Sequence, residues 1–145
     1  MQSLFQISLL VNDYDAAIEF YVHTLGFELL EDTHLDSLKR WVVVSPGNGA
    51  ALVLARAEGA SQMHAVGQQL GGRVGFFLGT DNFERDFKLF TSRGVRFVRK
   101  VDKTDYGTVA VFEDLYGNLW DLIEHAPDHP LAMKGTMKSV MGSLE

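Results

Sequence analysis

Residues 113–124 read EDLYGNLWDLIE, and the reading of this stretch decides how the rest of the chain is read. Its first half is turn chemistry: Asp114, Gly117 and Asn118 supply the side-chain caps and the positive φ of a tight chain reversal. Its second half, LWDLIE, predicts a strand in which Leu119, Asp121 and Ile123 share one face while Trp120, Leu122 and Glu124 share the other. Asp121 therefore falls between two aliphatic neighbours on a face expected to be buried. A carboxylate in that position is paired, bound to a metal, or shifted in pKa, because burying it alone is too costly.

Working outward, the same organisation occurs twice. QISLLVN at 6–12 alternates as a half-buried strand, Asp13 offers an N-cap, and Tyr14, Ala17, Ile18, Tyr21 and Leu25 follow at helical spacing until Gly26. A short strand from Phe27 and two more at 40–45 and 50–55, turned by Pro46 to Gly49, complete a βαβββ unit. After a connector rich in Gly, Ala and Gln, the strand RVGFFLG at 73–79 leads to a helix carrying Phe83, Phe87 and Phe90 and ended by Gly94. VRFVRKV at 95–101, GTVAVFE at 107–113 and LWDLIE at 119–124 supply three further strands. Gly26 maps to Gly94, Gly49 to Gly117 and Val53 to Asp121, all at a separation of 68. Two copies of one unit, each too small to bury its own sheet alone, predict a single domain over 1–126: module one at 1–57, connector at 58–72 and module two at 73–126, followed by a tail at 127–145. Helices cover one face of each sheet. The other faces, with Gln6, Ser8, Val53, Arg73, Gly75 and Asp121, are expected to line a shared concavity.

Bulk properties narrow the function classes. The 145 residues are 46% hydrophobic, enough for a core of that size. A net charge of −6 argues against a nucleic-acid surface, which needs a basic stripe. No apolar run approaches the roughly 20 residues that span a bilayer, and MQSLFQISLLVNDYD lacks a basic segment ahead of its apolar one, so a soluble cytoplasmic protein is expected. With no cysteine, any metal is held by His, Asp, Glu or an amide oxygen.

ISLLVNDYDAAIEFYVHTLGFEL at 7–29, GVRF at 94–97 and FEDLYGNLWDLIE at 112–124 resemble the vicinal oxygen chelate superfamily, which includes glyoxalase I, extradiol dioxygenases, and fosfomycin- and bleomycin-resistance proteins. The resemblance covers about residues 4–125. It implies an α+β fold in which two βαβββ modules form an eight-stranded, cleft-bearing unit. It also implies metal ligands on the first and fourth strands of each module, positions that carry over to Gln6, Val53, Arg73 and Asp121. Gln6 and Asp121 are usable ligands; Val53 has no donor and Arg73 brings a fixed positive charge. A complete divalent site is therefore not expected, with Gln6 and Asp121 left as the metal candidates.

Asp121 and Arg73 are the catalytic candidates, and Gln6, Ser8, Trp41, Val53, Arg73 and Tyr106 the substrate-binding ones. The reading adopted for Asp121 is a charged group held chiefly by Arg73, with Gln6 in the same polar cluster; the alternatives are general base, ligand contact and metal ligand. Arg73 has its own alternative, a bidentate anchor for an anionic substrate. Trp41 is read as core packing or an aromatic wall, and Tyr106 as turn geometry or the same wall. His23, His34, His125 and His129 are given surface roles, and His64 lies in a connector that is a candidate lid, with no HxH or HExxH spacing among the five histidines. SPGNGAA at 45–51 lacks the phosphate-loop pattern and reads as a hairpin turn. Met133, Met137 and Met141 recur every four positions and suit a short amphipathic helix.

Three classes remain open: a metal-dependent glyoxalase- or dioxygenase-like lyase or oxidoreductase, a metal-free enzyme using Asp121 and Arg73, and a binding module for a small oxygenated, aromatic or anionic compound. The incomplete ligand set favours the latter two. A homodimer is expected, since relatives of this fold pair modules across a two-fold axis.

Overall fold

The computed structural model describes residues 1–133 and is an α+β chain of two sheets with few helices. It divides into two compact units, Met1–Arg73 with Asp114–Asn118, and Val74–Glu113 with the chain from Leu119 onward.

In the first unit, β1 (Gln6–Val11) is followed by a helix, α1 (Tyr14–Ile18), that continues directly as a π-helical segment, Glu19–Thr24. The Asp13 carboxylate caps the start by accepting from the Ala16 N–H at 2.7 Å. Strands β2 (Glu28–His34), β3 (Arg40–Ser45) and β4 (Ala51–Arg56) complete a sheet of order β1-β4-β3-β2, with β1 parallel to β4. Alternation sends Leu9, Val11, Val42, Val44 and Leu54 to the helix side, where they are fully buried with Ala17 and Tyr21. Each such aliphatic side chain contributes roughly 1.5–3 kcal/mol. Arg40 closes the rim of this layer with its guanidinium on Asp15 (2.8 Å) and Asp32 (2.7 Å).

The connector carries a short helix, α2 (Gly59–Ala65). It does not hang free as a lid. The Gln69 amide accepts from the Leu10 N–H at 2.9 Å and donates to the Ser8 carbonyl at 2.8 Å, so a side chain completes the open edge of β1. Gly67 holds φ +76° with the Tyr116 carbonyl oxygen 2.1 Å from where a Cβ would stand, and no other residue fits there.

The second unit repeats the plan. Strand β5 (Val74–Gly79), helix α3 (Phe83–Ser92) and strands β6 (Arg96–Phe97), β7 (Asp102–Thr104), β8 (Gly107–Glu113) and β9 (Leu119–His125) form a sheet of order β5-β9-β8-β6, with β7 also on β8. Its helix-side core is aromatic: Phe112 lies 5.9 Å from Trp120 and 5.6 Å from Phe90, and Phe76 stacks on Trp120 at 4.7 Å. The paired glycines of the repeat share their conformations, φ 84° at both Gly26 and Gly94, and 83° and 90° at Gly49 and Gly117.

One expectation is corrected and one lies outside the described residues. The strand predicted over 95–101 is broken in two, giving nine strands among the described residues instead of eight. Phe97 pairs with Phe112 and Asp102 with Val109, so the edge strand spends two more residues than β8 over that stretch; Val98 still donates to the Val111 carbonyl at 2.9 Å, and Arg99, Lys100 and Val101 loop out. The amphipathic helix expected around Met133, Met137 and Met141 falls outside the described residues from 134 on.

The turn between β8 and β9 belongs to the first unit and is built on Asp114, which is 5% exposed. Its carboxylate accepts from the Tyr21 hydroxyl (2.6 Å), the N–H groups of Tyr116 and Asn118 (both 2.9 Å) and the Asn118 amide (2.8 Å). Replacing Asp114 with Ala strands several buried donors at once. A loss of roughly 3 kcal/mol or more is expected by urea unfolding, against about 1–2 kcal/mol for Tyr21→Phe, which leaves the carboxylate its other donors. Equal losses in the two variants would contradict this account of the turn.

Candidate functional site

The face of each sheet turned away from its helix carries the candidate residues. In the first unit β-pairing lays Ser8, Val53 and Val43 in one row across three strands. Val43, Val53 and Ala51 form a small buried apolar cluster, while Ser8 is exposed and Gln6, opposite Ala51, is half-buried. Trp41, two positions before Val43 on the same face, is 37% exposed, which fits a wall better than core packing.

The equivalent row of the second unit is Phe77, Asp121 and Val111. Val43 and Val111 correspond at the repeat separation, as do Val53 and Asp121, so the repeat has exchanged a buried valine for a carboxylate. Phe77 stands where Ser8 stands, and its ring is 68% exposed. Val111 and Ile123 beside Asp121 are buried, and Asp121 is half-buried.

This register corrects the assignment of Arg73. Val74 sits opposite Leu119 as Gln6 sits opposite Ala51, so the first-strand position of module two is Val74. The repeat separation of 68 also carries Gln6 to Val74, and a register shift between Val74 and Phe76 then adds one residue at Gly75, so that Phe77 and not Phe76 takes the place of Ser8. Arg73 precedes β5 and is exposed. Burial raises the pKa of Asp121, and the charge that opposes the rise is that of Arg99, in the loop between β6 and β7. Among the described residues of its own unit the Asp121 side chain has no hydrogen bond or ion pair, which leaves it there as a desolvated carboxylate.

The donor set at the first- and fourth-strand positions does not fit a divalent metal: Gln6 and Asp121 have oxygen donors, and Val53 and Val74 have none. Among the described residues no group of three or more His, Cys, Asp or Glu side chains converges on a common point.

The remaining candidates lie apart from these rows. Tyr106 is in the β7–β8 turn, 47% exposed, and its carbonyl accepts from the Ala126 N–H at 2.7 Å. His23, His34 and His64 are exposed. His125 departs from the expected surface role: it is half-buried at the end of β9, stacks on His129 at 4.4 Å, and its Nδ1 is buried without a partner. Desolvation, then the charge of His129, lowers its pKa. Phe77 was absent from the candidates, although alternation from Arg73 through Gly75 already points to it.

A family model described as Glyoxalase/Bleomycin resistance protein/Dioxygenase superfamily matches residues 3–122. The chain belongs to this superfamily. An uncharacterized protein of Shewanella frigidimarina is 54% identical over 133 residues, covering 90% of this chain and 98% of that one. Among solved structures, UcmS2 superposes with a TM-score of 0.74 at 29% identity, covering 85% of this chain and 98% of its own. TnmS3 from Streptomyces sp. CB03234, described as an antibiotic binding protein, gives 0.72 at 30% identity, covering 87% and 98%. The superfamily match agrees with the fold that the resemblance implied.

Linkage gives the superfamily fold a pH signature at this site. The folded pKa of Asp121 lies above its unfolded value, so its contribution to stability is fully present below the unfolded pKa and is lost as pH rises through the folded one. Asp121→Asn is therefore expected to be more stable than the parent at neutral pH, with the difference shrinking toward acid, as read by urea unfolding across pH. A variant less stable than the parent at neutral pH would mean that the carboxylate has a stabilising partner.

Proposed function

We propose that this protein binds a small organic molecule on the helix-free face of its second sheet, without a metal. The observation that carries the reading is the Phe77–Asp121–Val111 row, an exposed aromatic ring in register with a half-buried carboxylate and a buried valine. Such a surface supplies stacking area and one orienting polar group. The similarity to TnmS3 over nearly its whole length supports binding as the activity. Only Gln6 and Asp121 of the four first- and fourth-strand positions carry an oxygen donor, which supports action without a metal, and the metal-dependent lyase or oxidoreductase reading lacks the ligands it needs. Trp41, Ser8 and Gln6 form the corresponding surface of the first sheet. No helix among the described residues is long and apolar enough to cross a membrane, and the cytoplasm is the compartment that this reading adopts.

A thermal-shift screen of small aromatic compounds tests the proposal. Stabilisation by at least one compound is expected in the parent and is expected to fall in Phe77→Ala, whose exposed side chain changes the unliganded stability by only about 0.5 kcal/mol. A hit whose effect is untouched in Phe77→Ala would move binding elsewhere. Elemental analysis of protein purified without chelators is expected to find no stoichiometric transition metal; about one metal per chain, lost in Asp121→Ala, would restore the metal-dependent reading.

We also infer a homodimer. Edge strand β2 is exposed at all seven positions, with Leu29 and Leu30 open to solvent, a surface that an unpaired chain leaves available for pairing. Light scattering is expected to give twice 16.2 kDa; a particle of 16.2 kDa at micromolar concentration would count against it.

A further inference from the structure

The face around Asp121 carries a charge pattern that selects among ligands. Three carboxylates lie on it by register, Asp102, Glu113 and Asp121, since Asp102 pairs with Val109, which faces Ile123, Glu113 with Leu119 and Asp121 with Val111. Glu113 already has a cation, Arg96, at 3.4 Å. Among the described residues of its unit the Asp121 side chain has no hydrogen bond or ion pair, and Arg99 acts on it only through its charge. Beside it stands the exposed ring of Phe77, whose π-face attracts positive charge.

We propose, on the reading that this face binds a small organic molecule, that its ligand is a flat aromatic cation, the ring stacking on Phe77 and the protonated nitrogen pairing with Asp121. The desolvation of the Asp121 carboxylate is already present in the folded protein, so a cation gains a charge-assisted hydrogen bond there at little further cost. An anion placed on Phe77 meets Asp121 and is repelled. A neutral ring keeps the stacking alone. The chain's net charge of −6 steers in the same direction, raising the local concentration of cations.

Fluorescence titrations at neutral pH with three flat probes test this: proflavine as the cation, acridone as the neutral ring and anthracene carboxylate as the anion. In the parent protein, proflavine is expected to bind roughly tenfold or more tightly than either of the others. Asp121→Asn is expected to bring the proflavine-to-acridone ratio to about one, whereas Glu113→Gln leaves it unchanged, which separates pairing at Asp121 from general attraction to an acidic protein. Phe77→Ala is expected to weaken all three. Binding of acridone or anthracene carboxylate with no preference for proflavine would overturn the cation proposal and leave the small-molecule reading standing. A preference that survives in Asp121→Asn would also overturn it. Binding of none of the three would overturn both.

Discussion

The buried Asp114 carboxylate organises the region on which the candidate site depends. It sits in the turn between the last two strands and is 5% exposed, yet it accepts hydrogen bonds from the Tyr21 hydroxyl, two backbone N–H groups and the Asn118 amide. A charge so placed is tolerable only with its lone pairs satisfied, and satisfying them sets the geometry of the whole turn. The Tyr21 hydroxyl comes from the π-helical segment after α1, so this turn joins residues 93 positions apart. Gly117, at φ 90°, lets the chain reverse, and β9 then starts at Leu119 with Asp121 two residues in. The face that Asp121 occupies is thus a consequence of where the turn ends.

The two aspartates of EDLYGNLWDLIE illustrate opposite uses of burial. Asp114 is saturated with donors and acts as a structural centre. Asp121 is half-buried, lacks a contact partner within its unit, and has its pKa raised by desolvation. A group left in that condition is available to a ligand. The repeat sharpens the contrast, because the equivalent place in the first unit is Val53, packed with Val43 and Ala51. The gene duplication implied by the repeat supplies one scaffold twice, and the chemistry differs by the side chains in a single row: Ser8, Val53 and Val43 in one copy, Phe77, Asp121 and Val111 in the other.

Much of this was legible in the residues alone. The 68-residue separation, the strand and helix periods and the glycine turns identified two βαβββ modules, and the glycine conformations match in pairs. Alternation also placed Asp121 on the face away from the helix. These features are local, set by periodicity and by the φ that a turn demands, and a sequence displays them directly.

The neighbours of Asp121 were decided by tertiary structure. The register shift at Gly75 interrupts the alternation that runs from Phe77 through Gly75 to Arg73, which leaves Val74 at the first-strand position with Phe77 opposite Asp121. The break after Phe97 turned a predicted strand into a loop carrying Arg99, the cation that Asp121 feels. Sequence period tells which way a side chain points, but an extra residue in one strand changes which side chain it meets, and nothing in the period records that residue. The sequence by itself therefore determined the fold and the face. Pairing between strands, which depends on contacts distant along the chain, determined that the carboxylate on that face has an aromatic ring beside it and no bonded counter-ion within its unit.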